Sequence, residues 1–220
     1  MNLRLSSARS PFGLRCLLAA SFSTLLLSGC SKDAEPTTIV KLPPGLVALQ
    51  EEIVKSKNQV GLTITSLEAV IAAAGPSDKP KYDAFVKSMA DLEAQGAAVK
   101  AKGDDMRARG AAYFKAWEEQ LAAVTTPSIK EQAEKRRDQL TKNYEAVTVA
   151  VEAAREAYKP ILSDLKDIQR MLSTDLTADS VKALAPPVAK IKESGKVLGE
   201  KLDAVVDALK KIGAVYSAET

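Results

Sequence analysis

The chain has 220 residues, of which 46% are hydrophobic, only 5% are aromatic and none is histidine. The lack of histidine excludes imidazole bases, histidine-activated nucleophiles, and most zinc and iron sites. Of the 31 basic residues, three are arginines before residue 30, and the remaining 28 equal the 28 acidic residues. Such a balanced charge argues against nucleic-acid binding, which needs a basic surface.

Residues 1–29 have the order of a secretory signal peptide. Arg4, Arg9 and Arg15 precede the apolar run CLLAASFSTLLL, and small residues follow it. A membrane-spanning helix needs about 20 predominantly apolar residues, and this run is shorter. We therefore predict that residues 1–29 are removed, and they do not enter the prediction of the fold.

The segment Leu27-Ser28-Gly29-Cys30 resembles a bacterial lipobox. The resemblance implies that cleavage precedes Cys30, and that the acylated cysteine then attaches the chain to a lipid bilayer. The alternative is a signal peptide that ends elsewhere and leaves Cys30 as a spare thiol. Cys30 would then be a lone cysteine in an exported chain, because the other cysteine, Cys16, lies in the removed part.

Residues 30–45 contain three prolines and no helical period, so we predict a flexible tether behind the lipid. In many lipoproteins an aspartate directly after the cysteine is associated with retention in the inner membrane. Ser31 stands at that position here, which by analogy favours the outer membrane, with the protein facing the periplasm.

From residue 46 onward, apolar residues recur three and four positions apart in four long runs. This spacing is typical of helices with coiled-coil-like packing. We predict an all-α fold, an elongated antiparallel helical bundle of three to four long helices over residues 46–213. The predicted helices are 46–74, 79–124, 127–174 and 177–212, followed by a disordered tail at 214–220.

Capping residues and prolines mark the ends of these runs. The stretch 75–78, Thr126 before Pro127, and Thr177 predict where the second, third and fourth helices begin. Pro160 predicts a kink or a split in the third helix. The pair Pro186-Pro187 predicts that the fourth run divides into a short helix and a longer one.

Three glycines, Gly96, Gly103 and Gly110, lie seven residues apart on the inward face of the second helix. Each costs about 1 kcal/mol in a helix interior, so the repeat needs a reason. A short connection makes the second and third helices an antiparallel hairpin, in which facing residue numbers sum to about 254. The facing pairs are then Gly96 with Tyr158, Gly103 with Val151, and Gly110 with Tyr144.

Large side chains facing these glycines predict an interdigitated core, in which Gly103→Leu would clash with Val151 and destabilise the fold. A flexible hinge or a small-residue dimer motif is the alternative interpretation. Near the hairpin turn, Tyr113 and Trp117 are assigned to the core. Phe114 lies off the inward face and is assigned to an outer helix or a partner.

Reactive groups are sparse in the predicted bundle. Asp104-Asp105 and Glu118-Glu119 are the carboxylate pairs considered for a divalent cation, but adjacent helical side chains point about 100° apart. No phosphate-binding glycine loop or nucleophile motif occurs. We therefore expect no metal, no cofactor and no catalytic residue, so that Cys30, as the lipid-attachment site, is the single predicted site residue.

Three segments resemble an uncharacterised family of bacterial lipoproteins, the domain of unknown function 2959. They are residues 108–147, 152–172 and 176–184, and the similarity extends over roughly residues 82–212. Phe114-Lys115-Ala116-Trp117 matches the family's aromatic-x-x-Trp motif, and Pro160-Ile161-Leu162 its Pro-(Ile/Val)-Leu motif. The resemblance implies a lipid anchor and long helices, and it implies no activity.

The expected function is that of a non-enzymatic scaffold or adaptor that binds an unidentified envelope protein, with a homo-oligomer as a further alternative. A second hypothesis is a membrane-active or lipid-binding protein, like pore-forming proteins or apolipoproteins, in which the mildly apolar segment 61–74 inserts. That segment contains Glu68 and is too short to span a bilayer. An enzyme is the third hypothesis and the least favoured by the residues.

Overall fold

The computed structural model describes residues 45–73 and 79–217, all within one compact unit, Ile39–Thr220. Over these residues the chain is helical and contains no strand, so the predicted all-α fold is confirmed. The helices are α1 (Gly45–Ala73), α2 (Lys79–Ala122), α3 (Pro127–Thr174), α4 (Ala178–Ala183) and α5 (Ala185–Ser217). The predicted signal peptide, Cys30, the tether up to residue 44 and the breakers at 74–78 lie outside the described residues.

The four long helices form an up-down-up-down bundle. Helix α1 packs against α2 and α5, and α3 packs closely against α5 and more sparsely against α2. Two ion pairs show that α1 and α5 run antiparallel, with Lys57 Nζ 2.6 Å from Asp203 and Lys192 Nζ 2.7 Å from Glu68. The order around the bundle is therefore α2, α1, α5 and α3, with a loose junction between the first and the last.

One continuous apolar core runs through the bundle. Leu49, Leu92, Leu165 and Val205, one from each long helix, are at most 1% exposed. All four stand at positions that the apolar period predicts to face inward. Burying such a side chain contributes about 1.5–3 kcal/mol each, which makes this core the main source of stability.

A small polar cluster lies between α1 and α2. Thr63 is fully buried, and its Oγ1 donates to the Gln59 carbonyl at 2.9 Å and lies 3.0 Å from Ser88 Oγ. The Gln59 side chain donates to the Ser88 carbonyl at 3.1 Å. These bonds fix the register of α1 against α2, because a slipped helix would leave the buried hydroxyl without its partners.

The proline and cap predictions have mixed outcomes. Helix α3 is continuous through Pro160, so a split there is wrong, while the division of the fourth run before Pro186-Pro187 into α4 and α5 is confirmed. Thr177 Oγ1 accepts a hydrogen bond from Ser180 N and caps α4. Thr126 occupies the N-cap position of α3, but its side chain makes no capping bond.

The end of the last helix differs from the prediction. Helix α5 continues to Ser217, so its predicted end at residue 212 and a disordered tail from residue 214 are wrong over residues 213–217. Gly213 does not stop the helix, because Ile212 before it is fully buried and Val215 beyond it is half-buried. Tertiary packing thus overrides the weak helix propensity of one glycine. Residues 218–220 lie outside the described part.

Candidate functional site: a cleft between α2 and α3

Two tyrosines of α3 fill the space over two glycines of α2. A Cβ atom on Gly96 would lie 3.1 Å from Tyr158 Oη, and one on Gly110 would lie 2.8 Å from Tyr144 Cε1. In each pair the residue numbers sum to 254, which confirms the predicted hairpin register. The Tyr158 hydroxyl also donates to the Leu92 carbonyl at 3.4 Å, a further tie between the two helices.

The third glycine behaves differently. A Cβ atom on Gly103 would meet no heavy atom of the facing helix within 4 Å, so the predicted close contact between Gly103 and Val151 is wrong. The clash predicted for Gly103→Leu stays a prediction, because a leucine extends beyond its Cβ atom. The two tyrosine rings act as spacers between α2 and α3, and the short valine side chain does not cross the gap that they set. Small residues at the middle of the junction therefore leave it open.

The opening is a cleft of about 620 Å³, within the range of roughly 300–1,000 Å³ that is usual for small-ligand pockets. Its floor is formed by the helices on the far side of the bundle, through Ile53 and Ser56 of α1 and Leu198 and Leu202 of α5. The walls carry small and apolar side chains of the hairpin. These include Ala97, Val99 and Met106 of α2 and Val151, Ala154 and Leu162 of α3.

Charged side chains line the rim of the cleft. The cations are Lys100, Arg107, Arg155, Lys159 and Lys166. Asp104 pairs with both Lys100 and Arg107, and the other three cations pair with one carboxylate each, so five cations share four carboxylates. The hydrogen bond from Lys100, and then that from Arg107, lowers the pKa of Asp104, which keeps this carboxylate ionised.

The rim pairs differ in what they connect. Lys166 Nζ lies 3.1 Å from Glu93, and this pair joins α3 to α2 across one end of the cleft. Arg155 with Glu152, at 3.4 Å, and Lys159 with Glu156 are pairs within α3. All of these side chains are exposed, so each pair contributes about 0–1 kcal/mol and exchanges readily with another charged group.

Two hydroxyl groups lie inside this part of the bundle. Ser56 is 7% exposed and lines the cleft floor. Tyr144 is 8% exposed, and its buried Oη has no hydrogen-bond partner among the described atoms. Burial raises the pKa of Tyr144 to about 12 and that of Tyr158 to about 12.

Near the hairpin turn, the observed positions of Phe114, Tyr113 and Trp117 are the reverse of the predicted ones. Phe114 packs against the core and contacts Tyr144 edge-to-face, with ring centroids 5.2 Å apart. Tyr113 and Trp117 stack edge-to-face with each other at 5.6 Å, and neither joins the buried core. Phe114 lies four residues after Gly110, about one helical turn, and therefore shares the face that Gly110 turns toward Tyr144.

Three of the four carboxylates considered for a cation form ion pairs with basic side chains. Asp104 pairs with Lys100 and Arg107, Asp105 Oδ2 lies 2.8 Å from Arg109, and Glu118 lies 3.3 Å from Arg137. Within residues 45–73 and 79–217, no group of three or more acidic or cysteine side chains could hold a metal ion. Cys30 cannot be placed relative to the cleft because it lies outside this part.

Segment 61–74, which the second hypothesis inserts into a membrane, is packed into the bundle up to residue 73. Ile64, Leu67 and Val70 are buried, whereas Leu62 is 60% exposed. None of the helices in the described part is both long and apolar enough to cross a membrane. Insertion of this segment would therefore require α1 to leave its contacts with α2 and α5.

The cleft itself was not predicted. The sequence signal was present in the three equally spaced glycines, but their spacing alone assigns the same packing to all three. Only the observed contacts separate Gly103, which faces empty space, from Gly96 and Gly110, which face tyrosine rings.

Comparison with known families gives one match. The profile of a family described as "Protein of unknown function (DUF2959)" matches residues 47–212, which include the whole cleft. Comparison with curated proteins and with solved structures finds no similar protein.

Proposed function

Since the chain belongs to the DUF2959 family of proteins of unknown function, we propose a function from its own residues. The proposal is a membrane-anchored, non-enzymatic lipoprotein of the bacterial envelope, tethered through Cys30, whose helical bundle faces the periplasm and binds another envelope component. The proposed membrane is the outer one, by analogy from Ser31.

The anchor rests on the order of features before the bundle. An arginine-rich start, a short apolar run and Leu27-Ser28-Gly29-Cys30 are followed by a proline-containing segment, and α1 then begins at Gly45. Several acyl chains on one cysteine would hold the protein stably, since each buried methylene contributes about 0.8 kcal/mol. The segment between Cys30 and Gly45 would let the bundle move away from the bilayer surface.

The binding role rests on one observation, the cleft between α2 and α3. A bundle built only as a rod would gain stability by closing this gap, because interiors pack to high density. Here apolar walls and a floor from all four long helices remain accessible. The cleft offers surface for binding and no paired nucleophile and base, which favours a binding protein over an enzyme.

Metabolic labelling tests the anchor. Cells producing the full chain are fed an alkyne-tagged fatty acid, and the label on the purified protein is measured. We expect labelling of the wild type and of Cys16→Ala, whose change lies in the removed segment, and none of Cys30→Ala. Labelling that persists in Cys30→Ala would contradict attachment at this residue.

Photocrosslinking in cells tests the adaptor role. A photoreactive residue at Val149, an apolar side chain of α3 that is 70% exposed, should yield a reproducible adduct with one envelope component. The same residue at Lys87 of α2, where the native side chain forms an exposed i,i+4 ion pair with Asp91, is the matched control. If neither position gives any adduct in repeated experiments, the bundle has no partner and the adaptor role is wrong.

A second candidate function is membrane activity, which the exposed apolar side chains of α1 favour. Val47, Val54 and Leu62 are 46–60% exposed. Release of a dye from vesicles of bacterial phospholipid separates the two candidates. An adaptor leaves the vesicles intact, whereas a membrane-active protein causes leakage that Leu62→Gln would reduce.

A further inference from the structure

We propose that the cleft between α2 and α3 binds one free long-chain fatty acid, with its hydrocarbon chain on the apolar floor and its carboxylate among the rim cations. The inference rests on the binding role proposed above and names the class of ligand. The residues of the cleft are different from Cys30, so an experiment can refute the fatty-acid site and leave the lipid anchor standing, or the reverse.

The extent of the cleft agrees with a ligand of limited length. The 14 positions from Gly96 to Gly110 span about 21 Å along α2, and a tyrosine ring lies over the glycine at each end of this span. The volume of about 620 Å³ lies within the range that is usual for small-ligand pockets. A single narrow chain can lie along this span without separating α2 from α3.

The ends of the cleft also limit what can enter. At one end the Tyr144 ring lies over Gly110, and toward the other end Tyr158 lies over Gly96. Beyond Tyr158, the ion pair of Lys166 with Glu93 crosses from α3 to α2. A long rigid element cannot lie through these crossings, but a flexible chain of limited length can lie between them.

The chemistry of the interior agrees with an alkyl chain. Leu198 and Leu202 of α5 and Ile53 of α1 form most of the floor, and all three are at most 5% exposed. Ser56 is the polar side chain at the floor, and it is 7% exposed. A bound chain would remove the apolar walls from water, which is the main driving force for such binding.

The rim supplies the counter-charge for one carboxylate. Its five cations share four carboxylates, so the rim has an excess of one positive charge. Lys100 and Arg107 share one carboxylate, that of Asp104. These two cations therefore have N–H donors left for a second carboxylate. A fatty-acid head beside them gains charge-assisted hydrogen bonds that a neutral or cationic head cannot make.

A photoactivatable, alkyne-tagged fatty acid tests the proposal on the full chain in cells. After irradiation, the protein is purified and the modified peptides are identified by mass spectrometry. We expect adducts that depend on light in the α2 and α3 stretches that line the cleft, 93–107 and 148–166. Label that does not depend on light, on the Cys30 peptide, reports the anchor and is counted separately.

A matched pair of glycine variants shows whether the adducts come from the cleft. Gly103→Leu places a side chain in the open space, and Gly61→Leu makes the same change on α1, where a Cβ atom also meets nothing within 4 Å. Gly61 does not line the cleft. We expect Gly103→Leu to lower the light-dependent adducts about tenfold or more and Gly61→Leu to leave them unchanged, with both variants folded by circular dichroism.

Several results would overturn the proposal. They are the absence of light-dependent adducts in the wild type, equal labelling of the Gly103→Leu and wild-type proteins, and adducts with the mass of a phospholipid or a protein.

A probe of equal length with an amine head tests the carboxylate. Equal labelling by the two probes would refute the role of the rim, whereas preference for the acid, lost in K100Q/R107Q and kept in Lys79→Gln, supports it.

Discussion

Gly→Ala substitutions, made one at a time at the three glycines of α2, should change the free energy of unfolding by different amounts. The difference depends on how close the new Cβ atom lies to the side chains of α3. Gly→Ala in a helix interior stabilises by about 0.8–1.0 kcal/mol when nothing obstructs the new Cβ atom. Gly103 meets this condition, since no heavy atom lies within 4 Å. We expect Gly103→Ala to stabilise the protein by about 1 kcal/mol, a rise in Tm of roughly 2–4 °C for a chain of this size.

The same change at Gly110 should have the opposite sign. Its Cβ atom would lie 2.8 Å from Tyr144 Cε1, and the tyrosine ring is buried and also contacts Phe114, with ring centroids 5.2 Å apart. Overpacking of this kind costs about 1–3 kcal/mol, so the net effect is a loss of about 0–2 kcal/mol. Gly96→Ala should fall between the two, because the hydroxyl of Tyr158 at 3.1 Å is the end of a side chain that can shift.

Urea and thermal denaturation, followed by circular dichroism at pH 7, measures the three variants against the wild type. The predicted order of stability is Gly103→Ala, then Gly96→Ala, then Gly110→Ala. A Gly103→Ala variant less stable than the wild type would show that the cleft is closed in solution. Equal stabilisation at Gly103 and Gly110 would show that the tyrosine does not occupy the space over Gly110.

Three further predictions follow from individual groups. Tyr144→Phe removes a buried hydroxyl without a partner and should stabilise by up to about 1 kcal/mol in urea denaturation, and a loss above 1 kcal/mol would mean that a partner exists. Burial raises the pKa of Tyr144 and Tyr158 from 10.0 to about 12, so the neutral form is favoured in the fold. Stability should therefore be constant up to pH 10 and fall between pH 10 and 12 by roughly 2 kcal/mol per tyrosine, a loss that the Y144F/Y158F variant should lack. An equal loss in that variant would contradict the assignment to these two tyrosines. Thr63→Val leaves Ser88 and Gln59 without their buried partner and should lower the free energy of unfolding by about 1–3 kcal/mol, whereas a neutral result would contradict the hydrogen bonds between α1 and α2.

The sequence predicts the helices and their inward faces because apolar burial dominates the stability of a bundle. Leu92 and Leu165 are buried as their positions in the period require. The short connection between α2 and α3 predicts the hairpin and its register, and the register in turn predicts the pairing of tyrosines with glycines. These features depend on the spacing of residues along the chain, which can be read directly from the sequence.

The spacing of residues along the chain does not predict the distance between two packed helices. That distance depends on every side chain at the junction and on the helices that pack behind it. Tyr144 and Tyr158 set the separation, and Val151 is too short to close it, so the cleft at Gly103 appears only when all of these are placed together. Phe114 shows the same limit, because Tyr113 and Phe114 lie three and four residues after Gly110, and only the placed rings show that Phe114 contacts Tyr144.

Native mass spectrometry of the protein, released directly from vesicles of its own membranes, tests the lipid anchor and the bound fatty acid together. We expect a polypeptide that begins at Cys30, carries covalent acyl groups, and holds one additional fatty acid that dissociates on activation. The additional mass should be absent from Gly103→Leu and present in Gly61→Leu. A polypeptide with unmodified Cys30 would contradict the anchor, and a wild-type protein without the dissociable fatty acid would contradict the function of the cleft.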